Sequence, residues 1–274
     1  MRLRRRGGGR RGEAVRRRAG RAGRHFRRRR RRRAGRGGGG QRRSRPRARD
    51  DAGASRPRRR RRAPAACEAH LLATGATRAR ALDLPGNYLA PGVDERNTLT
   101  LGWLGRRGYV ARAERATNLH LDVRTNPRVS RARAQAAAAA AAARGYQVRR
   151  ATPDEVALPA AIADEFGGTW PFEVTRALTG SPAGVHVAVR DGAYAAFAAH
   201  DGNNAGLGWF GPAGTWPAHR GAGLGEAVLL ACLVDVAVDH PICEVAWIGP
   251  RPFYERVAGV VGERRFVVLT KDLT

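Results

Sequence analysis

Arg220-Gly221-Ala222-Gly223-Leu224-Gly225 sets one cation and three alternating glycines ahead of a long apolar run, residues 227–238. Such a run predicts a helix. A helix start exposes backbone N–H groups with no intrahelical partner, and the macrodipole gathers partial positive charge there. Glycine lets a ligand's phosphates reach those amides, because no Cβ stands between them. With Arg220 as a fixed cation, the segment reads as a cradle for a pyrophosphate. A dinucleotide fingerprint is a poor match, since it requires Gly-x-Gly-x-x-Gly after a first strand with further βα units behind it. A P-loop is excluded because no Gly-Lys-Ser/Thr follows.

The elements needed to hold this cradle are legible around it. Residues 146–151 predict a strand. Thr152-Pro153-Asp154-Glu155 has the form of a capping box, opening a helix whose apolar positions Val156, Leu158, Ile162 and Phe166 share one side. Residues 171–178 predict a second short helix. Residues 185–190 and 193–200 alternate as strands around the hairpin signal Asp191-Gly192, and residues 207–214 predict another strand. The glycine turn, the helix at 224–238, a strand at 244–248, a helix at 253–258 and a strand at 265–270 complete the order. That order describes a mixed sheet with helices on both faces.

Charge divides the chain sharply. The formal net charge is +29, yet residues 1–62 hold 30 arginines against Glu13, Asp50 and Asp51, and the rest of the chain is close to neutral. Dense like charge with almost no large apolar side chains predicts a disordered tail. Two readings of it stand. An Arg/Gly arm could bind RNA or DNA through phosphates in a salt-dependent way. Alternatively the stretch was never selected as protein: Arg, Gly, Ala and Pro share GC-rich codons, and Lys271 is the sole lysine of the chain. The second reading fits better, because working arms mix Lys with Arg and interleave aromatics. Cys67, Cys232 and Cys243 show no metal-ligand spacing and form no disulfide framework, so a reducing cytoplasm is expected. No apolar run has the length of a membrane span.

The Arg/Gly segment, lying between a predicted strand and a predicted helix, resembles the signature of the GNAT superfamily of N-acetyltransferases: Arg or Gln, two residues, Gly, any residue, Gly or Ala. Pro252-Phe253-Tyr254-Glu255-Arg256-Val257-Ala258-Gly259 looks like that family's later segment, an aromatic-Tyr pair on a short helix ended by Gly. The resemblance runs from about Tyr146 to the C-terminus. It implies an α/β fold with a mixed, mostly antiparallel sheet and helices on both faces. It implies acetyl-CoA or another acyl-CoA as donor, no metal, and a small-molecule or peptide amine as acceptor. Ala213, Gly214 and Thr215 would bond the pantetheine arm, and the amides of Arg220, Gly221, Ala222, Gly223, Leu224 and Gly225 the pyrophosphate. Tyr254 takes the position of the acid that protonates the leaving thiolate. The strand at 207–214 lacks the Glu that many members carry, so His200, with Asp201 and Glu244 behind it, is the candidate base by chain position.

Trp103-Leu104-Gly105-Arg106-Arg107-Gly108-Tyr109, followed by the alternating residues 118–123, resembles the back end of a second such domain, with Leu104 at the tyrosine position. The expected organisation is a tail at 1–66, a partial GNAT-like C-terminal half at 67–126, an Ala-rich helical linker at 127–145 and a GNAT-like acyltransferase domain at 146–274. Such a remnant is expected to leave apolar strand edges unpaired. Two other functions compete with the transferase: a degenerate module that binds acyl-CoA or a protein without turnover, and a nucleic-acid binder acting through the tail.

Overall fold

A computed structural model describes residues 55–82 and 90–274, with side chains from residue 64 onward. The tail expected at 1–66 lies almost wholly outside the described residues. Helix α1, Ser55–Ala73, begins inside the segment expected as tail. Then follow β1 (Arg78–Arg80), β2 (Val93–Asp94), α2 (Thr98–Gly105), β3 (Val110–Asp122), α3 (Arg131–Ala142), β4 (Gln147–Arg150), α4 (Ala157–Phe166), α5 (Trp170–Leu178), β5 (Val185–Arg190), β6 (Ala193–His200), β7 (Trp209–Thr215), α6 (Leu224–Asp239), β8 (Ile242–Val245), α7 (Arg251–Val257) and β9 (Gly262–Asp272).

All nine strands join one sheet in the order β1-β9-β3-β8-β7-β6-β5-β4, with β2 also paired to β9. Every pairing is antiparallel except β7 with β8. The fold is the expected mixed, mostly antiparallel sheet. Alternation sorts the side chains. Ala188, Ala198 and Phe210 face one side and pack with α3, α6 and α7, where Leu229, Leu230, Leu233 and Val257 are fully enclosed. Val185, Val187, Phe197 and Ala199 face the other side and pack with Leu158 and Ile162 of α4 and Val174 of α5. The Asp191-Gly192 hairpin forms as predicted, with φ of 52° and 78° at the two turn residues.

Two local expectations are overturned. The capping box does not form: α4 starts at Ala157, after a turn, because Glu155 pairs with Arg149 of β4 instead of reaching back to Thr152. The alanine-rich segment is no free spacer. Ser130 caps α3, which packs on α6 and buries Ala141; small side chains permit that close helix approach.

The largest departure is the place of β3. Its residues precede the Ala-rich helix in sequence, yet β3 lies inside the sheet. Leu119 pairs with Val245 of β8, and Ala116 with Phe266 of β9. Leu119 and Leu121 are fully buried beneath α6 and its neighbours. The strand predicted at 118–123 is therefore the end of a longer one, bonded on both edges rather than exposed.

Candidate active site

The site is built where two strands part. β7 and β8 run parallel for only two paired positions, Trp209 with Glu244 and Phe210 with Val245. The last bond between them is Ala246 N–H to Phe210 O, at 3.2 Å. Past that point β3 captures the chain: Trp247 N–H donates to Asn118 Oδ1 and Ile248 N–H to Thr117 O, both at 2.9 Å. β7 meanwhile stays on β6, through Ala198–Ala213, Phe197–Gly214 and Ala196–Thr215. A wedge opens, and residues 213–215 present an edge that β8 no longer covers.

Three neighbouring hollows that share lining residues follow the wedge. The first, about 510 Å³, is walled by Ala213, Gly214, Phe166, Phe197 and Tyr254. A Cβ on Gly214 would come within 2.9 Å of both phenylalanine rings, so this narrow floor requires glycine. The second, about 340 Å³, is an open cleft at the start of α6 lined by Arg220, Gly221, Gly223, Gly225 and Arg256. Thr215, Arg220, Gly225 and Phe253 border both. The third, about 740 Å³, carries Glu173, Trp170, Trp209, Trp247 and Tyr254, and shares Phe210, Ala213 and Tyr254 with the first.

The turn ahead of α6 has the form its glycines require. A 3₁₀ turn at Pro217–His219 leads into it, fixed by a 3.0 Å hydrogen bond between Tyr146 Oη and His219 Nδ1. Gly221 and Gly223 have φ near 78° and 79°, where a side chain is strained. The first backbone bond into α6 is Ala227 N–H to Gly223 O, so the amides just ahead are those a helix start leaves open. Arg220 is exposed, with Nε 3.3 Å from Thr215 O. Leu224 borders the cleft and buries its side chain in the core, whereas Ala222 packs on the core and is absent from the cleft lining. Glu226 would oppose an anion here, but Arg133 of α3 bonds it at 2.8 Å.

Tyr254 stands at the junction of the first and third hollows. Burial pushes its phenol up to about 12, so it is protonated throughout the neutral range. His200 does not meet it. The imidazole lies near the far end of β6 on the α6 face, with Nδ1 2.9 Å from Asp201 Oδ2 and Nε2 3.4 Å from Asp235 Oδ2. Burial alone would lower His200, but the two carboxylates outweigh it and draw the ring up to about 9. Asp235, which burial would raise, is held well below the carboxylate range by donors on His186, His200 and Arg150. An imidazolium that is already charged at neutral pH accepts no proton there, and none of the three hollows includes it. Glu244 is likewise engaged elsewhere, accepting from Asn118 Nδ2 at 2.7 Å and facing Arg264 and His120.

Glu173, which the sequence pattern alone does not single out, is the carboxylate that does enter the site. It sits in the first turn of α5, buried, and lines the third hollow. Burial raises it above the ordinary range, against the opposing effect of hydrogen bonds from Asn203 and Thr169. A signal for it exists in the sequence: a lone acid in the aromatic run Trp170-Pro171-Phe172-Glu173. Trp170 and Trp209 line the same hollow, while Phe172, near Trp170 in sequence, is exposed.

No protein-family model matches the chain, and no curated protein matches it in sequence. Solved structures do. The glucosamine N-acetyltransferase region of a fungal multi-domain GH3 β-N-acetylglucosaminidase, a GCN5-related protein, superposes with a TM-score of 0.53 at 17% identity, over 67% of this chain and 24% of that one. This chain has the GNAT fold. A GCN5-related N-acetyltransferase from Sphaerobacter thermophilus gives a TM-score of 0.47 at 18% identity, over 66% of this chain and 58% of its own. A tandem GNAT protein from the clavulanic acid biosynthesis pathway gives 0.44 at 19%, over 72% and 64%. The chain thus spans less than two thirds of each of these proteins. Within the GNAT fold, the strand wedge and the glycine turn ahead of α6 are seen directly in this chain.

Proposed function

We propose that the protein is an acyl-CoA-dependent N-acyltransferase, with acetyl-CoA as donor and an amine as acceptor. The observation that carries this reading is the shared lining of the three hollows. One end offers amides and Arg220 to a diphosphate, the middle offers an uncovered strand edge to a pantetheine arm, and the far end offers a cavity lined by Tyr254 and a buried carboxylate. A donor laid along the wedge would bring its thioester to Tyr254, and holding two reactants in register supplies much of the acceleration in a direct transfer. The cradle residues and the edge of 213–215 would hold the donor. Tyr254, kept protonated, is suited to give its proton to the departing sulfur.

The competing reading, a module that binds acyl-CoA without turnover, rests on the missing Glu of β7; Glu173 in the cavity favours the transferase. Binding through the tail concerns residues outside those described. The test is calorimetric titration with acetyl-CoA, followed by transfer of labelled acetyl to a panel of primary amines. Saturable binding with transfer supports the reading. Binding without transfer to any amine favours the degenerate module, and no binding removes both.

A further inference from the structure

Building on the transferase reading, we infer that the acceptor is a primary amine that enters as its ammonium ion, carried on an apolar body, and that Glu173 receives that ammonium among the tryptophans of the third hollow. A carboxylate taken out of water is costly unless a cation or several donors meet it. Here the partners are neutral: Thr169 Oγ1 at 3.3 Å and the Asn203 side chain. Among the described residues no cationic side chain pairs with it. Glu173 nevertheless faces a cavity of about 740 Å³ that an acceptor can enter. The charge is short of a cation on the side where the ligand lies.

The walls fit the same occupant. Trp170, Trp209 and Trp247 line the hollow with Glu173, and indole faces attract a desolvated cation while packing an apolar body. Arg80, whose guanidinium stands 6.0 Å from the Trp247 ring, is the other charged residue of the lining. That leaves Glu173 as the lining group that can take an ammonium.

The proton balance closes with the groups present. The ammonium gives one proton to the Glu173 carboxylate and becomes a free amine. Its nitrogen lone pair forms the C–N bond at the thioester carbonyl as the C–S bond breaks, and the sulfur takes the Tyr254 phenolic proton. The surplus proton on the acylated nitrogen returns to the Tyr254 oxygen, and Glu173 releases its proton to solvent. Burial, which raises Glu173, suits a carboxylate that must hold a proton for part of the cycle.

The test uses the full chain and two probes of similar shape, phenethylamine (a cation at pH 7) and 2-phenylethanol (neutral), with binding read from tryptophan fluorescence. Wild type should bind phenethylamine at least tenfold more tightly than the alcohol. Glu173→Gln should lose that preference while binding the alcohol and acetyl-CoA as wild type does; Glu173→Asp should keep it. In acetyl transfer, Glu173→Gln should lose at least tenfold in kcat/KM for phenethylamine and a clearly smaller factor for p-anisidine, an amine already neutral. Equal affinity of wild type for the two probes, or a preference retained in Glu173→Gln, overturns the assignment. Failure of the transferase reading shows separately, as absent acetyl-CoA binding or absent transfer by wild type to either amine.

Discussion

Glu173 and Tyr254 reach one cavity from opposite faces of the sheet. Glu173 belongs to α5, on the face covered by α4 and α5, whereas Tyr254 belongs to α7, packed with the α6 side. A continuous sheet would keep them apart. They meet because the β7–β8 pairing ends at Phe210 and Val245, so the wedge is a passage through the sheet as well as a slot for a donor. A carboxylate and a phenol thereby line one cavity from two sides of the sheet.

Tyr254→Phe removes the phenolic proton and little else, because the ring packs against Phe210 and Phe253 and the hollow is otherwise unchanged. Turnover should fall by about 10²-fold or more, the usual scale of one general acid. Acetyl-CoA affinity should stay within twofold. Steady-state kinetics beside calorimetry separates the two quantities, and full activity in the variant would strip Tyr254 of its role.

Arg220→Ala tests the cradle. Charge-assisted hydrogen bonds contribute ~1.5–3 kcal/mol, and the exposure of Arg220 places the loss toward the lower end of that range. Acetyl-CoA affinity should weaken roughly tenfold at low salt, with a smaller difference from wild type as salt screens the contact. The thermal midpoint should hardly move, since the exposed guanidinium reaches the protein through a single long bond to the Thr215 carbonyl. A titration showing equal affinity would detach Arg220 from donor binding.

The sequence discloses the turn ahead of α6 almost in full, since glycine at 221 and 223 and a helix mouth are local properties. The hairpin at Asp191-Gly192 and the alternation of β5 and β6 are local in the same sense. What it hides is set by contacts distant in the chain. Chain position puts His200 beside the site, but its neighbours Asp235 and His186 come from α6 and β5 and make it part of an ion cluster. Glu173 is hidden because only the parting of β7 from β8, far along the backbone, turns the first turn of α5 into a cavity wall. The Thr152 capping box fails for a related reason: Arg149 offers Glu155 a charged partner that a local pattern does not weigh.

His200 makes a prediction for stability and pH. Its folded value is raised from 6.5 to about 9, so it contributes stability fully present below pH 6.5 and lost as pH rises through about 9. Each pH unit separating the folded from the unfolded value is equivalent to ~1.4 kcal/mol, and partial screening of the two carboxylates by solvent brings the swing to about 2–3 kcal/mol. Denaturant unfolding of wild type should weaken by that amount between pH 6.5 and 10. His200→Gln should be less stable at pH 6.5 and nearly flat across the same window. An identical slope in the variant would show that the imidazolium is not the group responsible. Acetyl-CoA binding should be unchanged in the variant, because none of the three hollows includes His200.

β3 makes the segment before the Ala-rich helix part of the main sheet. It bonds β8 along Leu119–Asp122 and β9 along most of its length, and it holds Trp247 and Ile248 away from β7. Without it the edges of β8 and β9 would face water, and the chain after Val245 would lose the bonds that keep the wedge open. A fragment of residues 127–274 should therefore be aggregation-prone and should fail to bind acetyl-CoA. Adding residues 90–126 as a separate polypeptide should restore soluble, donor-binding protein. In the full chain, Leu119→Ala, at a fully buried position, should cost ~2–5 kcal/mol of stability. Asn118→Ala should cost less stability but weaken donor binding, because it removes the bond that steers Trp247 out of the wedge. A 127–274 fragment that folds and binds acetyl-CoA unaided would show that β3 is an appendage to the sheet rather than one of its members.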